Sequence, residues 1–360
     1  MLQASVNLEG WAVWSSVAAC TVAYMLVVAQ FRMRRYNRLD KMSAPAEDDL
    51  TAWHEIYLSL VYKDFPTLTV KVLEFGLLKS YAIPSISSLL VQTRELVDRV
   101  PRRYDDTDFI VREIMENPPN SPRNLLALRR LNFLHGKYTI SQKDYLYVLL
   151  IFAVEPIRWI DLYGFRKVHP MERHAAHLIW RDYGTKMGIE NIPPDFEGME
   201  AHLDRFEQEK MKFALSNQLL GVSTMQLLLS VVPGPLHGFA RRAAHALCSP
   251  RLREAMGFPD PPPGLGWALQ GLLGLAGLFQ RYFMLPRSEV LRRTPLSGCP
   301  FAGAGAGVGA GAGEEYQTML PLFHPYEQTY AKGYRIDELG PVQFAGAREL
   351  GDLFPCSPKK

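Results

Sequence analysis

The stretch from Asn124 to Arg166, NLLALRRLNFLHGKYTISQKDYLYVLLIFAVEPIRWIDLYGFR, constrains the fold of this chain more than any other. It is typical of two long helices joined by a short turn, the first over about residues 123–138. Spacings of four and seven residues put Leu131 and Leu128 on the His135 side of that first helix. A single imidazole among leucines is usually a core histidine, but its surroundings here favour a ligand role, and we take His135 as the predicted centre of the chemistry.

The second helix of this stretch is predicted to begin at Ser141, because Asp144 follows three residues later in a pattern similar to a capping box. It then runs apolar as far as Val154 and meets Glu155. A carboxylate among apolar residues is costly to bury alone, and Arg158, three residues on, is a suitable partner.

Arginines near His135 suggest an anionic cofactor. Arg129, Arg130 and Arg158 lie close in sequence, and guanidinium groups commonly pair with carboxylates at the edge of apolar cavities. Haem combines an iron that takes an axial imidazole with two propionates that require cations. The alternative reading of these arginines is a solvated helix face together with the Glu155–Arg158 pair.

The N-terminal run from Gly10 to Phe31 contains no charged residue and is long enough to cross a bilayer as a helix. Basic residues follow it rather than precede it, which is the reverse of a secretory signal peptide. The positive-inside rule then predicts a lumenal N-terminus and a cytosolic remainder. The alternative is a buried or docking helix.

No stretch shows convincing period-two alternation, so the chain is predicted to be all-α. Two further segments are apolar. Phe213 to Ala240 is read either as a core helix followed by a turn or as an element at the membrane surface. Leu265 to Phe279 is read as core or interfacial in preference to transmembrane, because it is short for a span. The net charge of +3 gives no reason to expect a nucleic-acid partner, and the four dispersed cysteines argue against a zinc knuckle.

A competing metal site is possible at His169, His174 and His177, where the second and third histidines are three residues apart on a predicted helix. The same segment also fits an ordinary amphipathic helix. Other catalytic patterns are missing from the sequence, since it has neither a GxSxG motif nor a P-loop.

Four motifs carry a resemblance to a known family. They are LEFGLLKSYAIPSISSLLVQT (73–93), RRLNFLHGKY (129–138), FAVEPIRWIDLYGFR (152–166) and YAKGYRIDELGP (330–341). In this order they resemble the fungal ER-bound oxygenases of the mycophenolic acid pathway type (mpaB-like), whose superfamily includes the latex-clearing rubber oxygenases. The resemblance covers roughly residues 48–341, apart from a Gly/Ala-rich insert.

The resemblance implies a globin-like helical bundle that holds haem b and uses O₂ to cleave or oxidise a C=C bond in a prenyl chain. It assigns His135 as the axial ligand of the haem iron, and Lys79 and Ser80 as a distal pair. Gly76 stands where rubber oxygenases have an arginine, so distal control is expected to differ. A prenylated substrate and the ER membrane are the implied partners, and the oligomeric state stays open.

The alternatives are a non-enzymatic haem-binding or haem-sensing membrane protein, and a structural helical membrane protein whose His135 belongs to the core. The predicted organisation is a lumenal N-terminus (1–9), a transmembrane anchor (10–31), a basic juxtamembrane linker (32–47), a helical haem-oxygenase domain (48–300), a flexible Gly/Ala-rich insert (301–314), the end of the catalytic domain (315–345) and a tail (346–360).

Overall fold

The computed structural model describes residues 2–294, Tyr334, Ile336 and residues 339–344, and of residues 2–10 only the backbone. This part of the chain is helical and contains no strand, which confirms the predicted all-α class. The predicted insert (301–314), the tail (346–360) and most of residues 315–345 lie outside the described residues. The helices are α1 Leu2–Leu39, α2 Leu50–Ser59, α3 Pro66–Ser80, α4 Pro84–Thr93, α5 Glu95–Asp98, α6 Val100–Glu116, α7 Pro122–His135, α8 Gln142–Tyr163, α9 Pro170–Lys186, α10 Phe196–Lys210, α11 Leu215–Leu229, α12 His237–Leu247, α13 Pro250–Met256 and α14 Leu265–Phe283.

Local sequence signals account for many of these boundaries. The Ser141 hydroxyl accepts a hydrogen bond from the backbone N–H of Asp144 at 3.1 Å, which confirms the predicted start of α8. Proline occupies the first turn of several helices, where its missing N–H costs nothing. Pro84 begins α4 in this way.

Helix α8 forms the centre of the domain and packs against α3, α9, α10 and α14. Its Tyr147, Leu150, Val154 and Ile157 are fully buried. Pro156 lies inside the helix without ending it. Because α8 contacts neighbours on several sides, it fixes the relative positions of the elements that build the site.

The apolar N-terminal segment is one helix whose Trp11–Leu39 portion is long and apolar enough to cross a membrane; the rest of the described chain has no second such helix. The helix continues past the apolar run to Leu39. The predicted linker at residues 32–47 is therefore helical in its first half. The helix continues here because Arg32 and Leu39 are buried against the domain.

A buried ion network joins this helix to the domain. Arg35 and Arg166 both contact Asp64 Oδ2 at 2.7 Å, and both also bind Glu172. Two guanidinium groups and two carboxylates balance one another, which offsets the cost of removing them from water. The network fixes the orientation of α1 relative to the domain.

Candidate functional site

A cavity of about 520 Å³ lies inside the helical domain, and its walls come mainly from α3, α4, α6, α7, α8 and α11. Most of its lining side chains are apolar, for example Leu77, Leu131, Val148 and Phe152. Its volume lies within the range of small-molecule and cofactor sites. Such walls suit a ligand with a large apolar surface.

His135 is the last residue of α7 and lines this cavity. Its Nδ1 is buried and has no hydrogen-bond partner among the described residues, and its ring meets Tyr145 edge-on at 5.4 Å. Burial, and secondly the charge of Arg103, lower the pKa of His135 to about 4. The imidazole is therefore neutral at physiological pH, which is the form that binds a metal.

Leu128 and Leu131 also line the cavity, so the predicted face of the first helix is the one that faces it. Arg103 of α6 adds a cation to the wall. Its guanidinium donates a hydrogen bond to Thr107 Oγ1 at 2.5 Å, and it forms no ion pair within the part of the chain that the structure describes. A cation in this position can pair with a carboxylate of a bound ligand.

The two residues of the predicted distal pair, Lys79 and Ser80, lie in different environments. Ser80 lines the cavity, with its hydroxyl donating to the Leu77 carbonyl at 2.7 Å. Lys79 is not among the lining residues; its Nζ lies 2.8 Å from Glu155 Oε1 and 2.7 Å from Glu207 Oε1. Burial would lower the pKa of Lys79, but these two carboxylates outweigh it and the pKa is raised. Lys79 is a charged member of a buried ion cluster.

The three arginines that were predicted to bind the cofactor are not brought to the cavity. Arg130 is fully buried and donates to the Leu339 and Phe344 carbonyls, and Arg129 is exposed. Arg158 binds Asp204 at 2.8 Å and approaches Glu155 at 3.7 Å, so the predicted pair with Glu155 is present. Arg103, which the sequence reasoning missed, is the arginine in the wall.

The competing histidine cluster forms no metal site within the described ranges. His169 caps α9, where Nδ1 accepts from the Met171 N–H. His174 packs edge-on against Trp53 at 5.0 Å, and His177 Nε2 lies 3.0 Å from the Pro193 carbonyl. Each of the three histidines thus has a structural contact.

Sequence reasoning also missed Thr224. This residue of α11 lines the cavity, and its buried hydroxyl oxygen has no hydrogen-bond partner in the described structure. A buried polar group without a partner is costly, and Thr224 offers this hydroxyl to a ligand in the cavity. The sequence carries no signal for it, because a threonine in an apolar helix is common.

Comparisons with known proteins find that this chain is similar to one group of oxygenases. Residues 135–278 match the family described as "ER-bound oxygenase mpaB/B'/Rubber oxygenase, catalytic domain". The ER-bound oxygenase mpaB' of Penicillium brevicompactum is 26% identical, with 90% of this chain and 87% of that protein covered. The ER-bound oxygenase mpaB of Penicillium roqueforti (strain FM164) is 29% identical, with 68% and 90% covered.

Among solved structures, latex clearing protein LCP in the closed state matches with a TM-score of 0.41 and 16% identity over 68% of each chain. The family match and the curated relatives confirm the resemblance to the mpaB-like and rubber-oxygenase superfamily. These relatives are named oxygenases, which supports the prediction that this chain is an oxygenase. Their names also describe them as ER-bound, in line with the apolar helix α1 as a candidate membrane span.

Proposed function

We propose that this chain, which resembles the mpaB-like and rubber oxygenases, is a membrane-bound, haem-dependent oxygenase that uses O₂ to cleave or oxidise a C=C bond in the prenyl side chain of a secondary metabolite. One observation carries the proposal. His135 presents a neutral imidazole, with no hydrogen-bond partner among the described residues, to an apolar cavity of about 520 Å³.

The residues of the cavity fit haem b. His135 would hold the iron through its imidazole, and Arg103 would pair with a propionate. When bound, haem b would supply the binding and activation of O₂. The apolar walls would bind a prenyl chain and exclude water from its double bond. Ser80 and Thr224 provide the hydroxyl groups that can orient a polar substituent of the substrate.

A membrane location suits such a substrate, since a prenylated compound partitions into the bilayer. We propose the ER membrane, with α1 as a single-pass anchor. The basic residues that follow its apolar run, among them Arg32, Arg34 and Arg35, favour a lumenal N-terminus and a cytosolic catalytic domain.

The first test is a visible absorption spectrum of the full chain, solubilised in detergent after expression with ample haem. We expect a Soret band that His135→Ala abolishes, and that the control His202→Ala on α10 retains. Helical content measured by circular dichroism should match in all three proteins. No Soret band in the wild type would contradict haem binding, and a normal band in His135→Ala would contradict the ligand assignment.

The second test separates an oxygenase from a non-enzymatic haem-binding or haem-sensing protein. Oxygen consumption is measured with a set of prenylated compounds and with their saturated analogues. Consumption that requires the prenyl double bond is the expected result. A haem-loaded protein that consumes no oxygen with any prenylated compound would favour the non-enzymatic alternative.

A further inference from the structure

Helix α14 is a 19-residue helix with an unusual surface. Gly277 is its only buried residue, and its first charged residue is Arg281. Trp267 is 86% exposed, and Leu272 and Leu275 are more than 60% exposed. A soluble domain rarely leaves such a continuous apolar surface open to water, so α14 requires a partner.

The exposed apolar surface continues onto neighbouring helices. α14 packs against α12, which packs against α11. Leu215 and Leu219 of α11 are exposed, and so is Phe239 of α12. Two exposed arginines, Arg241 and Arg242, follow Phe239 in the same helix. An apolar surface bordered by basic side chains matches a membrane interface with anionic headgroups.

The contacts between α1 and α14 show at which level along α1 this apolar surface lies. The Tyr24 hydroxyl donates to the Phe283 carbonyl at 2.9 Å, and Arg32 Nε donates to the Met284 carbonyl at 2.7 Å. The end of α14 therefore lies between the levels of Tyr24 and Arg32 along α1. With a rise of 1.5 Å per residue, these eight residues span about 12 Å.

If the apolar run of α1 crosses the bilayer, Arg32 marks one boundary of the hydrocarbon. The end of α14 then lies between that boundary and about 12 Å inside it, which includes the depth typical of interfacial helices. The ion network of Arg35 and Arg166 fixes α1 to the domain, so α14 cannot swing away from the membrane while α1 spans it.

We propose that α14, together with the exposed apolar residues of α11 and α12, binds the lipid bilayer in the leaflet on the Arg32 side of α1. The domain thus has a second membrane-binding surface besides its anchor. Helix α11 lines the cavity with Thr224 and Leu227 and exposes Leu219 on its surface. The cavity consequently lies one helix away from the bilayer. The inference depends on α1 as an anchor and is independent of haem and of the reaction.

The test uses the full chain, reconstituted in vesicles of phosphatidylcholine and phosphatidylserine. An environment-sensitive fluorescent amino acid is introduced by amber suppression at Leu275, at the anchor position Val22 or at Lys143, one site per variant. Lys143 is exposed near the start of α8, about 30 Å along that helix from Tyr163, whose carbonyl contacts Gly277. Spin-labelled lipids quench the fluorophore only where it meets acyl chains.

We expect quenching by lipid at Leu275 and Val22 and none at Lys143, whereas an aqueous quencher acts on Lys143 alone. Two results would overturn the proposal. Quenching at Val22 with only aqueous quenching at Leu275 would place α14 in water. Protection of Leu275 from both quenchers would mean that a second copy or another segment of the chain covers the surface.

Discussion

Lys79 was predicted to form a distal pair with Ser80, and the structure places it in a buried ion cluster, so its replacement tests the structure directly. Lys79→Met keeps the length and the apolar stem of the side chain but removes the ammonium that lies between Glu155 and Glu207. The Lys79 side chain is only 11% exposed and that of Glu155 6% exposed. Removing one partner of a buried ion pair typically costs about 3–5 kcal/mol, and we expect a loss of this size.

The loss should depend on pH. Burial raises the pKa of Glu207 even in the wild type, and without Lys79 its folded-state pKa rises further. When the pKa of a carboxyl group is higher in the folded than in the unfolded state, the group contributes to the free energy of unfolding. This contribution is fully present below the unfolded-state pKa and is lost as pH rises through the folded-state pKa. The difference in unfolding free energy between Lys79→Met and wild type should therefore be larger at pH 8 than at pH 5.

The assay is thermal and denaturant unfolding in a mild detergent, followed by circular dichroism. Lys71→Met is the matched control, because Lys71 is on the same helix and forms an ion pair with Glu74 while its side chain is 57% exposed. That variant should lose less than about 1 kcal/mol. A loss of similar size in the two variants, or no pH dependence for Lys79→Met, would refute the buried cluster.

Two further predictions concern the cavity and the membrane-facing helix. Thr224→Val should leave the thermal midpoint unchanged or raise it, because the substitution removes a buried hydroxyl that has no partner among the described residues. Oxygen consumption with a prenylated compound should fall. A lower midpoint would contradict the prediction. Gly277→Ala should lower the midpoint, because the added Cβ would clash with the Tyr163 carbonyl oxygen. Gly274→Ala, with open space at its Cβ, should not lower it, and equal midpoints for the two alanine variants would refute the close contact.

The sequence predicts those features that local spacing determines. The start of α8 at Ser141 and the cavity-facing side of α7 both follow from the capping pattern and the helical period. The arginine prediction used closeness in sequence instead. At about 100° per residue, Arg130 and Arg129 point about 140° and 120° away from His135 around the helix. Arg103 reaches the cavity from α6, by a tertiary contact that no sequence spacing reveals.

The helical continuation over residues 32–39 could not be predicted for a related reason. Basic residues after an apolar helix are normally solvated, and the sequence of residues 32–39 contains nothing that contradicts this. Their partners, Asp64 and Glu172, are far along the chain, and the folded domain brings them to Arg35. Electrostatic contacts between distant segments depend on the fold, whereas caps and helix faces depend on neighbouring residues.

Ser80 lines the cavity, whereas Lys79 lies in the ion cluster behind it. This difference affects how activity measurements on Lys79 variants are interpreted. Adjacent residues on a helix differ by about 100°, so when Ser80 faces the cavity Lys79 faces the α8–α10 side. Loss of activity in Lys79→Met could therefore arise from a displaced Ser80. The triple variant Lys79→Met, Glu155→Gln and Glu207→Gln resolves this, because neutral groups of similar size should restore most of the lost stability.

If the triple variant regains both stability and oxygen consumption, Lys79 acts only by holding the end of α3 in place. If it regains stability but stays inactive, the activity depends on a charge of this cluster, carried by Lys79, Glu155 or Glu207.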